Sequence, residues 1–413
     1  MSDRLSVWWD GRLAGTLYLD PHGETQFAYD ADWLADATAP PLSFSLPKQA
    51  DPFNRRACQP FFGGILPEEG QRTGVARALG VSVGNDFRML EHLGGEVAGA
   101  LTLLPDGELP AAPSSGAPRV LDDTEILQLL DRMPLRPMLA GENGLRLSLA
   151  GAQSKLPVLV VDGQIALPAP GQPTSHILKP PIERFPGTTE NEFFCMSLAR
   201  AIGLDAATVE MHTVGARSFL LIARYDRAIS TSGELRRLHQ EDFAQALGVP
   251  SHRKYASEGG PTFPDCFTLL RRAATRPARD ILRLLDAAIF NLIIGNADAH
   301  AKNFSLLHKD GAIVFAPLYD LLSTELYPEL SPKLAMKIGG KSVLKEIEPR
   351  HWEKFANDAG LGAPYLRGRI GQLCEAVIVA IDTELAGGKW SAEKFTPVKL
   401  LARDRAELIK GKV

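Results

Sequence analysis

The sequence predicts an α+β protein of two lobes, a sheet-rich N-lobe and an all-helical C-lobe, with an additional small N-terminal α/β domain. The chain has 413 residues, and one hydrophobic core seldom serves more than about 250–300 residues, so several domains are expected. Between residues 156 and 224 short apolar strands surround one helix. Beyond residue 240 apolar residues recur with helical spacing, which indicates a change of architecture.

Composition is that of an ordinary soluble globular protein, with 45% hydrophobic and 23% charged residues. The formal net charge of -4 argues against a general nucleic-acid coat protein, which would be basic. The first residues lack the apolar core of a secretory signal, and the most apolar stretch, 281–295, contains Arg283 and Asp286. We therefore expect a cytoplasmic protein with no membrane segment.

The positions of the cysteines and arginines limit the kinds of binding site that this sequence is expected to contain. The four cysteines are far apart in sequence, which excludes a zinc knuckle or a CxxC redox pair and fits a reducing compartment. The densest cationic run lies between residues 271 and 283, and a solvated helix face explains it more simply than a binding patch. Its members are Arg271, Arg272, Arg276, Arg279 and Arg283.

The N-terminal domain is expected to cover residues 1–105. Strands at 5–9 and 13–19 flank the turn Asp10-Gly11, which is a strong hairpin signal. An irregular packed segment at 47–64 and helices at 68–79 and 85–92 complete it. The stretch 105–118 contains four prolines, so we predict a linker at 106–120.

The predicted N-lobe covers residues 121–235. It begins with a helix at 124–133. Five strands and a second helix follow, and that helix is expected to start at an N-cap, Thr188 or Thr189, and to stop at Gly203. The predicted strands are 156–161, 164–167, 176–179, 209–214 and 219–224, and the second helix is 189–202.

The predicted C-lobe covers residues 236–413. It is helical except for one hairpin, at 304–308 and 312–315. Pro277 suits the first turn of the longest helix in its middle. The predicted helices are 241–247, 263–272, 277–294, 350–358, 365–386 and 398–410.

The most informative stretch, 295–304, directly follows a helix that is expected to be buried. Within it Asp298 and Asn303 have the D-x-x-x-x-N spacing of protein-kinase catalytic loops. In such loops a carboxylate accepts or orients the proton of the attacking hydroxyl, and an amide oxygen ligates magnesium close by. Taken alone, the spacing also fits a helix end followed by turn-forming residues.

A second carboxylate, Asp320, follows one hairpin later in the stretch Leu318-Tyr319-Asp320. The metal-binding aspartate of kinases stands one hairpin after the catalytic loop, and Asp320 occupies that place. The alternative for Asp320 is an N-cap that starts a following turn.

Lys179 ends the short strand at 176–179, where a lysine can reach the α- and β-phosphates of ATP as a point charge. A glutamate on the next helix is needed to orient it. Glu192 is the first candidate and Glu190 the second. The alternative is that the lysine and its glutamate are two solvated surface charges.

Residues 148–155, Ser-Leu-Ala-Gly-Ala-Gln-Ser-Lys, precede the first strand of the N-lobe hairpin. Small residues allow backbone N–H groups to approach phosphate oxygens, so this stretch is a candidate phosphate loop. Its one glycine matches neither G-x-G-x-x-G nor a Walker loop, and an ordinary tight turn is the alternative.

These elements follow the order loop, lysine, glutamate, Asp…Asn, Asp, which is the order in protein kinases. In this respect the chain resembles the HipA-type serine/threonine kinases of bacterial toxin–antitoxin modules. The resemblance covers nearly the whole chain, and its most specific motifs are Gly-Ala-Gln at 151–153 and Asp-x-His-x-x-Asn at 298–303. The matching stretches are 62–67, 93–99, 148–155, 176–179, 191–195, 224–227, 240–243, 298–304 and 319–320.

The resemblance implies a protein-kinase-like fold and roles for the matched residues. Asp298 would be the catalytic base, and Asn303 and Asp320 would ligate Mg²⁺. Residues 150–155 would form the phosphate loop, and residues 223–225 would line the adenine site at the hinge. The implied ATP-binding residues are Ala150, Gly151, Ala152, Gln153, Ser154, Lys155, Lys179, Glu192, Ala223, Arg224, Tyr225, His300, Asn303, Tyr319 and Asp320.

The same resemblance implies a toxin that transfers the γ-phosphate of ATP to a protein hydroxyl, with aminoacyl-tRNA synthetases as substrates in some members. Its partner would be a HipB-like helix-turn-helix antitoxin bound to operator DNA. Ser148 matches the inhibitory autophosphorylation site, and we expect it in a mobile, accessible loop that faces the cleft between the lobes.

Two positions depart from the family pattern. Ser154 stands where an acidic residue often precedes the loop lysine, and Ala299 stands where glycine often precedes the histidine. Neither removes a catalytic group.

Two other functions fit part of the pattern. A metal-dependent phosphohydrolase would use Asp298, His300 and Asp320 as metal ligands, but Asn303 and Lys179 would then have no role. A catalytically weak, ATP-binding co-repressor would only sequester DNA-bound partners. Transfer of labelled phosphate distinguishes an active kinase from both.

Overall fold

The computed structural model describes residues 2–111, 116–142, 144–383 and 393–412. The chain divides into two compact units. Unit 1 comprises Met1–Pro180, His212–His252 and Leu307–Lys309, and unit 2 comprises Pro181–Met211, Arg253–Leu306 and Asp310–Val413. Within the described part of the chain, no helix is both long and apolar enough to cross a membrane.

Unit 1 opens with an antiparallel sheet of four strands that carries the first hydrophobic core. Leu5 pairs with Leu17 on one side and with Pro105 on the other, so the first strand lies inside the sheet. The sheet order is Thr25–Tyr29, Arg12–Leu19, Arg4–Trp9, Leu101–Pro105. The helices of this part are Ala31–Ala35, Arg55–Phe62, Glu69–Leu79 and Asp86–Leu93.

A second sheet of unit 1 carries the second core, on which helix Asp123–Arg132 packs. Neighbouring strands in it are Arg119–Val120, Gln164–Leu167, Leu156–Val161, His176–Lys179 and Arg217–Ala223. Unit 1 also contains the short strands Arg227–Ile229, Leu235–Arg237 and Gln240–Asp242 and the helix Phe243–Ala246. The chain returns from unit 2 to unit 1 within strand Val209–Val214.

Unit 2 is built around the helix Pro277–Ile294, which is buried along most of its length. Helices Phe263–Ala273, Ala363–Thr383 and Thr396–Lys410 pack against it. Its remaining helices are Thr188–Ala201 and Pro349–Ala359. The strand Ala312–Phe315 belongs to unit 2, and the strand before it, Ser305–Lys309, runs from unit 2 into unit 1.

Most predicted elements are confirmed to within two residues, but three predictions are wrong. The segment 47–64 contains the helix Arg55–Phe62, whose N-cap Asn54 accepts the N–H of Ala57. The helix predicted at 241–247 begins only at Phe243, because Asp242 and Gln245 cap each other there, and residues 240–242 form a strand instead.

The third wrong prediction concerns the start of helix Thr188–Ala201. Its N-cap is Gly187, and the hydroxyl of Thr188 instead accepts the N–H of Ile182.

The sequence reading also missed the strands Thr25–Tyr29 and Leu101–Pro105. Residues 112–115 of the predicted linker and 384–386 of a predicted helix lie outside the described residues.

Candidate active site

The base of the candidate site is the C-terminal end of helix Pro277–Ile294 in unit 2. The helix ends at Gly295, whose positive φ of 71° lets its N–H bond back to the carbonyls of Asn291 and Leu292. The guanidinium of Arg405 donates to the Leu292 carbonyl through Nε at 2.9 Å and Nη2 at 2.6 Å. These hydrogen bonds satisfy backbone groups at the end of the helix and fix the point at which the loop begins.

The loop after this helix exposes one carboxylate. Every residue from 291 to 302 is buried except Asp298. Asn296 holds the turn, because its Oδ1 accepts the N–H of Asp298 at 3.1 Å and its Nδ2 donates to Asn291 Oδ1 at 2.8 Å. The carboxylate of Asp298 is thus accessible while its backbone is anchored, as a group that meets an incoming hydroxyl must be.

Asn303 and Asp320 are brought together. Asn303 Nδ2 donates to Asp320 Oδ2 at 3.0 Å, and Asn303 Oδ1 accepts the N–H of His300 at 3.0 Å. Asp320 has a φ of 58°, which is uncommon for a residue other than glycine. Such strained backbone persists only where its surroundings enforce it, and it clusters at functional sites. Residues 321–323 form neither a helix nor a turn, and the next short helix has Ser323 as its N-cap, so the alternative of Asp320 as the N-cap of a following turn is wrong.

The donor set fits a magnesium ion. Mg²⁺ prefers hard oxygen ligands and is commonly held by one or two carboxylates together with phosphate oxygens and water. Asp320 supplies a carboxylate, and Asn303 Oδ1 has a second lone pair beside the one that accepts the His300 N–H. In the described ranges, no three His, Cys, Asp or Glu side chains form a metal-binding group.

Tyr319 and His300 stand next to these residues and have structural contacts of their own. The hydroxyl of Tyr319 donates to the carbonyl of Lys302 at 2.5 Å and lies 3.1 Å from the hydroxyl of Ser305. The ring of His300 is buried and meets the ring of Tyr255 edge-on, with centroids 5.6 Å apart. Both contacts stiffen the loop between Asp298 and Asn303.

The candidate phosphate loop lies in unit 1. Gly151 has a φ of 108°, a backbone conformation that residues with a side chain rarely adopt, and a Cβ at this position would displace the flexible end of Lys155, whose Nζ would lie 2.6 Å away. Lys155 Nζ donates to the carbonyl of Ala150 at 2.7 Å, and the buried hydroxyl of Ser154 has no partner among the described residues. A glycine turn with a nearby cation and such a hydroxyl fits the phosphates of ATP.

Ser148 is not accessible in this structure, and the expectation of an exposed, mobile position is wrong. Its side chain is completely buried, its hydroxyl donates to the carbonyl of Ile65 at 2.9 Å, and its N–H donates to the carbonyl of Glu96 at 2.9 Å. The serine is held because its own N–H and hydroxyl are both paired with backbone oxygens.

Lys179 and Glu192 are both buried, with 5% and 1% of their surface exposed, which contradicts the solvated-charge alternative for these two residues. Lys179 belongs to unit 1 and Glu192 to unit 2, and their pairing stays a prediction. By contrast, the arginines at 271, 272, 276 and 279 are exposed, as expected of a solvated helix face. Arg283 is partly buried and bonds Asp205 at 2.5 Å.

The predicted hinge residue Arg224 lies in a buried ionic cluster of unit 1. Its guanidinium donates to Asp226 at 2.7 Å and to Glu96 at 3.1 Å. Glu96 also accepts from Arg227 at 2.6 Å and from Arg237 at 2.7 Å. Burial alone would raise the pKa of Glu96, but the three arginines outweigh it and hold the pKa well below its usual range. The backbone N–H of Arg224 is also bonded, to the carbonyl of Ser175 at 2.9 Å, so its guanidinium and its N–H both serve the fold.

The other predicted positions at the hinge are less enclosed. Ala223, at the end of strand Arg217–Ala223, and Tyr225 are both partly exposed. The Tyr225 hydroxyl donates to the side-chain oxygen of Gln240. Sequence reading missed three residues that position the site in unit 2, Asn191, Asn296 and Thr324. The hydroxyl of Thr324 accepts the N–H of Ala297 at 2.8 Å, in the loop that carries Asp298. Polar side chains inside otherwise apolar, buried segments were the available signal.

Comparisons with known proteins agree with one another and cover most of the chain. Residues 5–104 match the family model described as the HipA N-terminal domain, and residues 147–381 match that of the HipA-like C-terminal domain. A Sinorhizobium fredii protein that carries the name of a kinase, Y4mE, is 58% identical over 380 residues, which cover 91% of this chain and 90% of that protein.

Two Shewanella oneidensis comparisons are more distant. The serine/threonine-protein kinase toxin HipA is 29% identical over 384 residues, which cover 89% of this chain and 86% of the toxin. A solved complex of a HipA, HipB and operator DNA contains a chain that matches with a TM-score of 0.85 at 26% identity. That match covers 98% of this chain and 97% of the other.

Proposed function

This chain belongs to the HipA family of serine/threonine kinases, and on that premise we propose that it transfers the γ-phosphate of ATP to a hydroxyl group of another protein. The observation that carries the proposal is the arrangement around the loop 295–303. One exposed carboxylate, Asp298, stands on the same anchored loop as Asn303, whose amide meets the carboxylate of Asp320 at 3.0 Å.

In the proposed reaction Asp298 accepts the proton of the substrate hydroxyl and orients its oxygen toward the phosphorus. That oxygen bonds the γ-phosphorus as the bond to the bridging oxygen breaks, and ADP leaves. Asn303 and Asp320 would hold Mg²⁺, which would neutralise charge on the phosphate oxygens. Little covalent chemistry is asked of the protein in phosphoryl transfer, so positioning and charge neutralisation supply most of the catalysis. The fixed backbone around Asp298 serves this need, because a positioned group loses no further freedom during the reaction.

The remaining predicted residues would bind ATP. Lys179 and Lys155 would neutralise phosphate charge, with Glu192 orienting Lys179, and the loop 150–155 would offer its backbone N–H groups. Residues 223–225 would contact the adenine, and His300 and Tyr319 would support the catalytic loop. The burial of Lys179 supports this role, since a buried ammonium retains its charge only beside anionic partners.

We further propose a toxin of a type II toxin–antitoxin system as the biological role. The Shewanella HipA is solved together with HipB and operator DNA, and the similarity covers nearly all of both chains. By that similarity this chain would bind a HipB-like antitoxin, reach operator DNA mainly through it, and act in the cytoplasm. An aminoacyl-tRNA synthetase is the substrate class that the family resemblance suggests.

The activity is tested by incubating the purified chain with γ-labelled ATP, Mg²⁺ and a cell lysate. We expect label on a protein band with the wild type and at least ~10²-fold less with Asp298→Asn. Asp404→Asn, an exposed aspartate of helix Thr396–Lys410, serves as the matched control and should behave as the wild type. Equal labelling by Asp298→Asn would overturn the assignment of the base.

Self-inactivation at Ser148 is part of the same proposal. A phosphate there adds about -1.5 to -2 charges at neutral pH, which the ATP phosphates would repel. Incubation with ATP and Mg²⁺ should place phosphate on Ser148 and lower ATP affinity. Phosphate on Ser148 with unchanged affinity would contradict the inactivation while leaving the kinase activity intact.

A further inference from the structure

Two glycine-containing stretches of the N-terminal part, 62–67 and 93–99, have no place in the chemistry proposed above. Both belong to unit 1, as does the segment 146–151 that leads into the candidate phosphate loop. The structure brings all three together, with the segment 146–151 bonded on both sides.

On one side, Glu96 pairs with the segment through its backbone. Its N–H donates to the carbonyl of Arg146 at 2.7 Å, and its carbonyl accepts the N–H of Ser148 at 2.9 Å, so residues 96 and 147 form a parallel bridge. Gly95 makes the close approach possible. A Cβ at this position would lie 2.7 Å from the Cβ of Arg146, a distance that real side chains do not tolerate.

On the other side, the stretch 62–67 and the residue after it hold the segment twice. The carbonyl of Ile65 accepts the hydroxyl of Ser148 at 2.9 Å. The N–H of Glu68 donates to the carbonyl of Gly151 at 3.1 Å, which forms a second parallel bridge between Pro67 and Gly151. These bonds lie where the segment enters the phosphate loop, so they set the loop's starting position.

Arg146 anchors the segment from within. Its Nη2 donates to the carbonyls of Glu91 at 2.6 Å and Leu103 at 2.8 Å, both in the N-terminal part. Its Nη1 lies 3.4 Å from the carboxylate of Glu108. One largely buried side chain thus ties the segment to the end of a helix and to a strand of the first sheet.

We propose that the stretches 62–68 and 93–96 form a dock that holds residues 146–151 in the conformation that binds ATP phosphates, with Arg146 as a positioning residue. The N-terminal domain is then part of the ATP-binding machinery. This inference rests on the proposed kinase function, since it assigns the loop its ligand.

The dock also controls Ser148. With its hydroxyl bonded to Ile65 and its surface fully buried, Ser148 receives phosphate only after the segment leaves the dock.

The test uses the full-length chain and two variants that disturb the dock without altering an ATP-binding residue. Gly95→Ala inserts a methyl group against Arg146, and Arg146→Met removes the anchor, with Arg146→Lys as a conservative rescue. Gly84→Ala, where a Cβ meets nothing within 4 Å, and Arg132→Met, a 44% exposed arginine, are the matched controls. Hydrogen exchange of the Ser148 amide, ATP affinity and phosphate on Ser148 are measured.

We expect Gly95→Ala and Arg146→Met to accelerate exchange at the Ser148 amide by about tenfold or more and to weaken ATP binding by a similar factor. At saturating ATP they should phosphorylate Ser148 faster, and Arg146→Lys should restore most of the wild-type behaviour. The controls should match the wild type in all three measurements.

Two results would overturn the dock. One is unchanged exchange at Ser148 in both variants, and the other is faster exchange with unchanged ATP affinity. Uniformly faster exchange across the whole N-terminal part would indicate a structural role only, and it also counts against the proposal. If neither the wild type nor any variant transfers phosphate, the kinase proposal fails. The hydrogen-exchange and ATP-affinity measurements still test the dock in that case.

Discussion

Asn191 forms two hydrogen bonds with the backbone of Ser323, accepting its N–H and donating to its carbonyl, both at 2.8 Å. Asn191 lies in the first turn of helix Thr188–Ala201, and Ser323 is completely buried three residues after Asp320. Both belong to unit 2. The pair fixes the segment that carries Asp320, so a side chain without any role in the chemistry holds the candidate metal ligand in place.

Asn191→Ala should therefore impair both folding and transfer. It leaves the buried N–H and carbonyl of Ser323 without partners, at a cost of about 1–3 kcal/mol for each group. We expect a clearly lower Tm and a fall in kcat larger than the change in KM for ATP. Asn357→Ala, at an exposed asparagine of helix Pro349–Ala359, is the control and should change neither. Full activity of Asn191→Ala at a lowered Tm would show that the pair is structural only.

Asp320→Ala should abolish transfer while the fold survives. The variant removes one of two proposed Mg²⁺ ligands, and phosphoryl transfer depends on the charge that the ion neutralises, so a loss of at least ~10²-fold is expected. The free energy of unfolding should change by less than about 1 kcal/mol, because Asp320 is only partly buried. Labelled-phosphate transfer and denaturant unfolding measure the two quantities. Wild-type turnover by this variant would remove Asp320 from the mechanism.

The sequence predicted the parts of the site that depend on local pattern. Asp298 and Asn303 share one short loop, and Asp320 follows one hairpin, so spacing alone is informative there. It could not predict Asn191 bonding to Ser323, because 132 residues separate them and nothing local marks the pair.

Burial was equally hard to predict where polar residues are paired over long distances. Ser148 looked like an accessible loop residue because its neighbours are small, yet its partners Ile65 and Glu96 lie in the N-terminal part. Arg224 resembled a ligand-binding position, and its guanidinium is instead neutralised by Glu96, which lies 128 residues away in sequence. Tertiary pairing overrides local composition in both cases.

Glu96→Gln should be among the most destabilising single substitutions in unit 1. It removes the carboxylate that Arg224, Arg227 and Arg237 share and leaves their buried charges under-compensated, at a cost of about 3–5 kcal/mol. Glu407→Gln breaks an exposed ion pair with Arg403 and should cost less than about 1 kcal/mol. Urea unfolding at neutral pH compares the two. Equal, small effects would show that the cluster is not a major source of stability.

The chain alone should bind random duplex DNA weakly. Its net charge of -4 and isoelectric point near 6.2 give no general attraction to phosphates. A shift assay at low and high salt should show little binding until the antitoxin is added. Tight, salt-sensitive binding by the chain alone would contradict this prediction. If such binding were then lost on replacing the exposed arginines 271, 272, 276 and 279 with glutamine, these arginines would be the DNA-binding surface.

Glu241 should make stability depend on pH near neutrality. Its carboxylate is buried and accepts the hydroxyl of Ser43 at 2.5 Å and the N–H of Phe44 at 3.0 Å. Burial raises the pKa of Glu241 to about 7, although both hydrogen bonds act in the opposite direction. A raised pKa means that the folded state favours the protonated carboxyl. Its contribution is therefore full below about pH 4.5 and is lost as pH rises through 7.

We therefore expect the free energy of unfolding of the wild type to fall relative to that of Glu241→Gln by about 2–3 kcal/mol between pH 5 and 8. Burial lowers the pKa of two histidines of the same unit, to about 3 for His239 and to about 4 for His308, so in this range they take up protons only in the unfolded state. Their effect is the same in the wild type and in Glu241→Gln, and it cancels when the two are compared. Glu234→Gln, at an exposed glutamate of unit 1, is the control and should keep the wild-type dependence. Parallel pH profiles for the wild type and Glu241→Gln would show that Glu241 ionises at an ordinary pH, and that the hydrogen bonds from Ser43 and Phe44 stabilise its carboxylate as much as burial destabilises it.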